Sequence, residues 1–372
     1  MTADVRVDGA TTVYRLYDIG YAIDLDRAAA AFGENNLGRV RPVRLEARAI
    51  HIRNPPLFVA LGSFDIEVGG NKHGATLAAH LFEFGVCSLQ LRIPIAPGTT
   101  PDLLAEFAGA LDTATDPSVL LDNEIRVLAD RTINAVERPA VTPLFEEYKV
   151  FRITRISGNS GGPIPASELF SEEQLVGMLV GERRRLSRTA LRELIPHRFS
   201  YYEDDLTVLT WESALVIEPR VEDRDVEYVL EFANAQLLEL RVYDLQLDAE
   251  LPALYDRAEA ARARRRPVLA AGRLRALLSE LQTRVADVTE TVERVENALK
   301  VTNDVYLARI YAAALELFRE AAWRRGIERK LRILRETYAM LNTESQAARA
   351  ELLEVAIVIL IVAELVMGFW KG

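Results

Sequence analysis

Glu351-Leu-Leu-Glu-Val-Ala-Ile-Val-Ile-Leu-Ile-Val-Ala-Glu-Leu-Val-Met-Gly-Phe-Trp-Lys-Gly372 is the stretch around which the rest of the chain is read. Between Val355 and Trp370 only Glu364 is charged. With Leu352 and Leu353 the apolar segment is long enough, at ~1.5 Å per residue, to cover roughly 28 Å, and so just spans a hydrocarbon core. Trp370 and Lys371 stand where an aromatic belt residue and a headgroup-seeking cation belong. The expectation is a C-terminal transmembrane helix over 351–372 that carries Ile357, Ile361, Glu364 and Trp370 into the lipid bilayer. An ionised Glu at mid-bilayer costs about 2.5 kcal/mol or more, so Glu364 is expected to face a partner helix. A second reading buries the same helix in a soluble core or an oligomer interface, because the uninterrupted run from Val355 to Ala363 is short.

Composition limits what precedes this segment. The 372 residues are enough for two or three domains, and 49% hydrophobic against 27% charged residues fits a folded body with one apolar end. A net charge of -10 disfavours generic binding to nucleic acid, and DNA is excluded as a partner. The single cysteine, Cys87, lies in an apolar run, so no disulfide framework or cysteine metal knuckle is expected. The polar start, Met1 to Asp8, has no signal-peptide pattern, which places the body on the cytoplasmic side of a single-pass membrane protein.

Along the chain, Val13 to Ile23 reads as strand, with Asp24 or Asp26 as N-cap of a short helix closing at Gly33. Short strands follow at Arg48–His51, Leu57–Leu61 and Phe64–Val68, then two strands bracketing Gly85 and a helix with Pro101 at its first position. A further helix covers Val119 to Val136. After Pro143 the pattern restarts: strand from Tyr148, helix from Pro165 to Val180, a hairpin from Phe199 to Trp211 about Glu203-Asp-Asp205, a strand at Ala214–Ile217, and a helix beginning near Asp223 or Asp225. The expected class is α+β, with a duplicated split-βαβ, ferredoxin-like body made of one unit at 1–140 and another at 141–240.

Helical signals fill 241–350. Leu274, Leu278, Leu281, Val285, Val288, Val292, Val295 and Leu299 step by four and three, a heptad seam. Asn303-Asp304 breaks the run and offers a new N-cap, and a second seam from Leu331 through Leu334 and Tyr338 to Val355 leads into the terminal segment. The simplest packing is an antiparallel coiled-coil hairpin. The same seams also serve pairing between protomers in a homo-oligomer.

Leu353-Glu354, Ile357-Val-Ile-Leu-Ile-Val362 and Glu364 resemble the close of the family named for a protein required for meiotic nuclear division, whose members occur in bacteria and mitochondria. Val355 stands where an aromatic residue is common in that family. The resemblance extends back on pattern through Tyr311–Leu341 and the hairpin Phe199–Trp211. It implies a membrane-anchored α+β body on a coiled-coil stalk, with mitochondrial relatives supporting translation at the inner membrane, and it supplies no catalytic residues.

Chemistry-bearing residues are weighed on spacing. His51, His73, His80 and His197 follow no metal-ligand pattern. The loop Ser157-Gly-Asn-Ser-Gly-Gly-Pro163 lacks the Gly-Lys-Ser/Thr ending of a P-loop, and Glu203-Asp204-Asp205 reads as a turn before it reads as an acid–base pair. Arginines gather at Arg183–Arg185 with Arg188, at Arg262, Arg264, Arg265 and Arg266, and from Arg324 to Arg335. The second group, beside Pro267, is the candidate basic patch for a partner. The expected function is therefore a non-enzymatic, tail-anchored scaffold without cofactor or metal, holding an unknown protein or ribosome partner near the membrane. A ribosome or RNA tether, and an enzyme using the acidic turn at 203–205, are the alternatives.

Overall fold

The structure is a computed structural model that describes residues 5–33, 37–39, 50–52, 54–158, 165–182, 184, 186–262, 279, 282–283, 286, 289, 299–301 and 304–371. The chain forms two compact units, Met1–Val242 with Arg294–Ala321, and Tyr243–Glu293 with Ala322–Gly372.

The first unit is built on β1 (Arg6–Asp18), a strand whose Thr-Thr-Val-Tyr-Arg-Leu-Tyr centre is buried on both faces. A strand hidden on both sides needs neighbours on both edges and cover above and below. Its edges are taken by β7 (Val86–Thr99) and β9 (Phe145–Ser157), both antiparallel to it. Outward from β7 lie β6 (Asn71–Leu81), β5 (Leu57–Val68) and β3 (Leu37–Arg39); outward from β9 lie β12 (Ser213–Ile217), β11 (Leu206–Leu209) and β10 (His197–Phe199). Of these nine strands, β9 and β12 form a parallel pair and the remaining pairings are antiparallel. Small two-stranded ladders join β2 (Ala22–Ile23) to β8 (Val136–Glu137) and β4 (Ile50–Ile52) to β13 (Leu299–Val301).

This sheet corrects the expected duplicated split-βαβ body. The strands of 1–140 and 141–240 share one sheet, joined along β1 and β9 from Arg6↔Ser157 to Tyr17↔Phe145. The physical reason is β1 itself: two separate small sheets would leave one of its edges and one of its apolar faces in water. Several local expectations hold. Asp24 caps α1 (Leu25–Ala30), accepting from the amides of Asp26 and Arg27 at 3.1 and 3.0 Å. Thr100 and Pro101 open α2 (Pro101–Asp112), and Gly85 turns β6 into β7 with φ +101°, where an added Cβ would lie 1.9 Å from the Gly20 carbonyl oxygen.

One sheet face is apolar. Val13, Tyr17, Leu77, Leu89, Leu91 and Ile93 pack under α3 (Asp116–Thr132) through its Leu121, Ile125 and Leu128. Phe151, Ile153, Leu215 and Ile217 pack with Leu104 and Ala108 of α2 and with α4 (Glu172–Leu179), which is followed by the exposed α5 (Arg188–Leu194). The other face carries Thr12, Tyr14, Ser88, Gln90, His80 and Arg152, and is met by α6 (Asp225–Arg262), whose residues 226–240 are all buried. Glu227 and Glu231 are four apart and so share one side of α6. Glu227 Oε2 forms an ion pair with Arg152 Nη1 at 3.1 Å, while Glu231 lies 2.8 Å from His80 Nδ1 and accepts from Gln90 Nε2 at 2.8 Å. Phe232 completes the contact through Phe82 and Phe84, at ring separations of 5.9 and 5.7 Å.

Asp18 ends β1 on this polar side. Its Oδ1 accepts from the Gly20 amide at 3.0 Å, but burial outweighs that bond and pushes the carboxyl up to about 7. Between the unfolded value near ~3.9 and 7, the folded chain holds a proton that the unfolded chain has released, so this group's stabilisation is full at low pH and is lost as pH rises through that window. Asp18→Asn keeps an acceptor without the charge. Thermal denaturation should show it more stable than the parent at pH 8, by on the order of 2 kcal/mol, with the gap closing towards pH 4. A gap independent of pH would contradict the assignment.

In the second unit, Lys330 of α8 (Glu320–Lys371) reaches Asp244 and Asp248 of α6 at 2.7 and 2.6 Å, and Leu331 and Leu334 of the expected second seam are buried. The terminal part of α8 exposes Leu353, Val355, Ile357, Ile361, Leu365 and Trp370. The tail anchor is corrected: among the described residues, no helix is long and apolar enough to cross a membrane. Charge spacing gives the reason. Glu354 and Glu364 bracket the apolar run Val355–Ala363, which at ~1.5 Å per residue covers only about half of a hydrocarbon core. The expected lipid-bilayer contact through Ile357, Ile361, Glu364 and Trp370, the single-pass membrane location and the cytoplasmic orientation fall with it.

Candidate partner-docking face

Aromatic and arginine side chains gather where β10 and β11 meet α7 (Val305–Leu317). The turn between the two strands is built by its acidic residues. Asp205 is buried and accepts the Tyr201 amide at 2.7 Å, Ser200 donates to the Tyr202 carbonyl at 2.7 Å, and the Glu203 carbonyl accepts from the Ala166 amide at 3.1 Å. Glu203 and Asp204 stay in solvent. Held in this way, Tyr201 and Tyr202 are left outside, 64% and 52% exposed, with ring centroids 4.8 Å apart and near perpendicular.

Asp304 fixes α7 against the hairpin. It caps the helix by accepting from the amides of Tyr306 and Leu307, and the Tyr306 hydroxyl then meets Thr207 Oγ1 at 3.0 Å. From there, Tyr306 packs on Tyr201 at 6.0 Å and the Arg309 guanidinium lies 5.4 Å over Phe199, whose other neighbour is His197, stacked at 6.2 Å. At the far end of α7, Phe318 packs edge-on to Tyr148 and to Trp211, and Arg319 covers Trp211 at 5.7 Å. Trp211 is still 47% exposed. The two aromatic groups thus flank a helix of 13 residues, about 20 Å at ~1.5 Å per residue. Each arginine over a ring holds a cation–π contact while its N–H groups remain available at the surface.

The arrangement offers large, rigid, partly apolar surface with hydrogen-bonding tips, which is what binding hot spots are made of. Elsewhere on the first unit, a cleft of about 390 Å³ lies between α2 and the β5–β6 turn and is walled by Val68, His73, Pro94, Leu103, Phe107 and Ala110. Among the described residues, no three His, Cys, Asp or Glu side chains are grouped to hold a metal.

Of the residues weighed for chemistry in the sequence, His197 and the acidic turn at 203–205 lie on the aromatic face, while the terminal-helix, seam and basic-patch residues do not. Arg262 ends α6, and Arg264, Arg265 and Arg266 lie outside the described residues. So do Leu274, Leu278, Leu281, Val285, Val288, Val292 and Val295; Leu299, the last position of that seam, sits in β13 opposite Ile52. Residues 159–164 of the glycine loop are likewise outside. Tyr201, Tyr202 and Trp211 were visible in the sequence only as strand formers. The available signal was their position: two rings inside a turn built by Ser200 and Asp205, where no strand could bury them.

Over residues 8–224 the chain matches the family model described as the N-terminal domain of uncharacterized protein MJ0711. The uncharacterized protein MJ0711 of Methanocaldococcus jannaschii is 23% identical over 197 residues, which cover 53% of this chain and 59% of that relative, so the chain spans about three fifths of the length of the curated relative it matches. No solved structure matches. The matched span includes β10, β11 and Trp211 but not α7, and the resemblance read from the terminal segment lies beyond it.

Proposed function

We propose a binding role, not a catalytic one, for this chain, which belongs to the family of the MJ0711 N-terminal domain. The first unit is a partner-docking body, and its docking face is the pair of aromatic groups along α7. The observation that carries the reading is the exposure of Tyr201, Tyr202 and Trp211 beside Arg309 and Arg319 on a rigid sheet edge. Interfaces are enriched in Tyr, Trp and Arg, which give contact area at low entropic cost. The net charge of -10 favours a protein partner over an RNA strand. The buried acid and imidazole groups support a structural use: Asp205 holds a turn, and His80 is engaged with Glu231 and Gln90.

A photocrosslinking residue at position 202 tests the reading in cells, with the same residue at Val127 of α3, 61% exposed, as the control. The expected result is one discrete protein adduct from position 202 that is lost when Trp211→Ala is added. No adduct, one shared with position 127, or one removed by ribonuclease would overturn it; the last would favour the RNA tether.

A further inference from the structure

Beneath the first turn of α6, three guanidinium groups from three elements surround one carboxylate. Arg152 on β9 pairs in register with Ala10 of β1, and Arg92 on β7 with Thr12, so the two flank β1 on the face that α6 covers. Arg224 immediately precedes α6. Glu227 forms ion pairs with Arg152 Nη1 at 3.1 Å and with Arg224 Nη2 at 3.5 Å. The neighbouring acids are occupied: Glu218 and Asp223 pair with Arg220 at 3.0 and 3.2 Å, Asp225 has a partner of its own, and Glu231 is held by His80 and Gln90.

That leaves hydrogen-bond donors unspent. Arg92 has no hydrogen bond or ion pair among the described residues; burial and the repulsion of Arg224 lower its pKa, and the nearby Glu227 charge offsets them only in part. Four buried polar atoms beside it lack hydrogen-bond partners: Arg152 Nε and Nη1, Arg224 Nε and Thr12 Oγ1, with Arg152 and Thr12 each only 1% exposed. Arg224 is 41% exposed and opens the cluster to solvent. The positive end of a 38-residue helix points to the same place.

We propose that this cluster binds a phosphate oxyanion, free or as the phosphoryl group of a small ligand, between Arg92 and Arg224, with Arg152 fixed behind them. Guanidinium groups reach this point from β7, from β9 and from the residue before α6, and a phosphate offers more acceptor oxygens to such a set than a carboxylate does. The inference is independent of the docking face, which lies on other residues.

Titrating the full chain with inorganic phosphate at constant ionic strength, followed by thermal unfolding and calorimetry, tests it. The expected result is a saturable rise in Tm that acetate does not reproduce. Arg92→Gln should weaken phosphate binding at least tenfold and leave the phosphate-free Tm unchanged or slightly higher, because Arg92 has no internal partner to lose. No saturable response, an equal response to acetate, an undiminished response in Arg92→Gln, or a large fall in that variant's phosphate-free Tm would each overturn the proposal.

Discussion

Replacing Arg152 with Met should cost the first unit about 3–5 kcal/mol in urea denaturation. Arg152 is 1% exposed and does two jobs at once. Its Nη1 faces Glu227, and its Nη2 donates to the carbonyls of Arg220, Val221 and Asp223 at 2.9, 3.0 and 2.8 Å, tying down the turn that launches α6. Met fills much of the volume but leaves a carboxylate that is 3% exposed with the half-solvated Arg224 as its remaining ion-pair partner, and it strands three carbonyls. Adding Glu227→Met to that variant removes the stranded charge, so the double variant should be more stable than Arg152→Met alone even though it carries one more substitution. A single-variant loss below about 1 kcal/mol, or a double variant weaker still, would show that the pair does not seat α6.

That pairing also marks where sequence reading stops. Features set by near neighbours were legible: the Asp24 cap, the Thr100–Pro101 helix start, the Gly85 turn and the Asp304 break all depend on residues within a few positions of each other. The sheet was not, because its central pairing joins β1 to β9, whose opposed residues Thr12 and Val150 are far apart in the chain. The helix α6 was expected to start near Asp223 or Asp225, as it does, but the partners of its carboxylates could not be read from its own sequence. Those carboxylates are buried because Arg152, His80 and Gln90 meet them from strands far away in the chain. At the C-terminus the reading weighed apolar composition above the interruptions at Glu354 and Glu364, and among the described residues no helix is long and apolar enough to cross a membrane. The candidate face escaped notice because β-forming rings and exposed binding rings are the same residues; only the turn that Asp205 builds separates the two uses.

The second large effect is expected at that face. Tyr202 and Trp211 retain about half of their surface, and neither makes a hydrogen bond to the core through its side chain, so truncating them removes contact area from the surface without opening a cavity. If they anchor a protein partner, each is worth about 2 kcal/mol or more to the complex, and the pair together about 100-fold or more in Kd. The decisive measurement is the affinity of the Tyr202→Ala/Trp211→Ala chain for the protein crosslinked at position 202, taken beside its unfolding midpoint. The account predicts a loss of at least about 100-fold with the midpoint within a few degrees of the parent. An unchanged affinity in a folded double variant would contradict it.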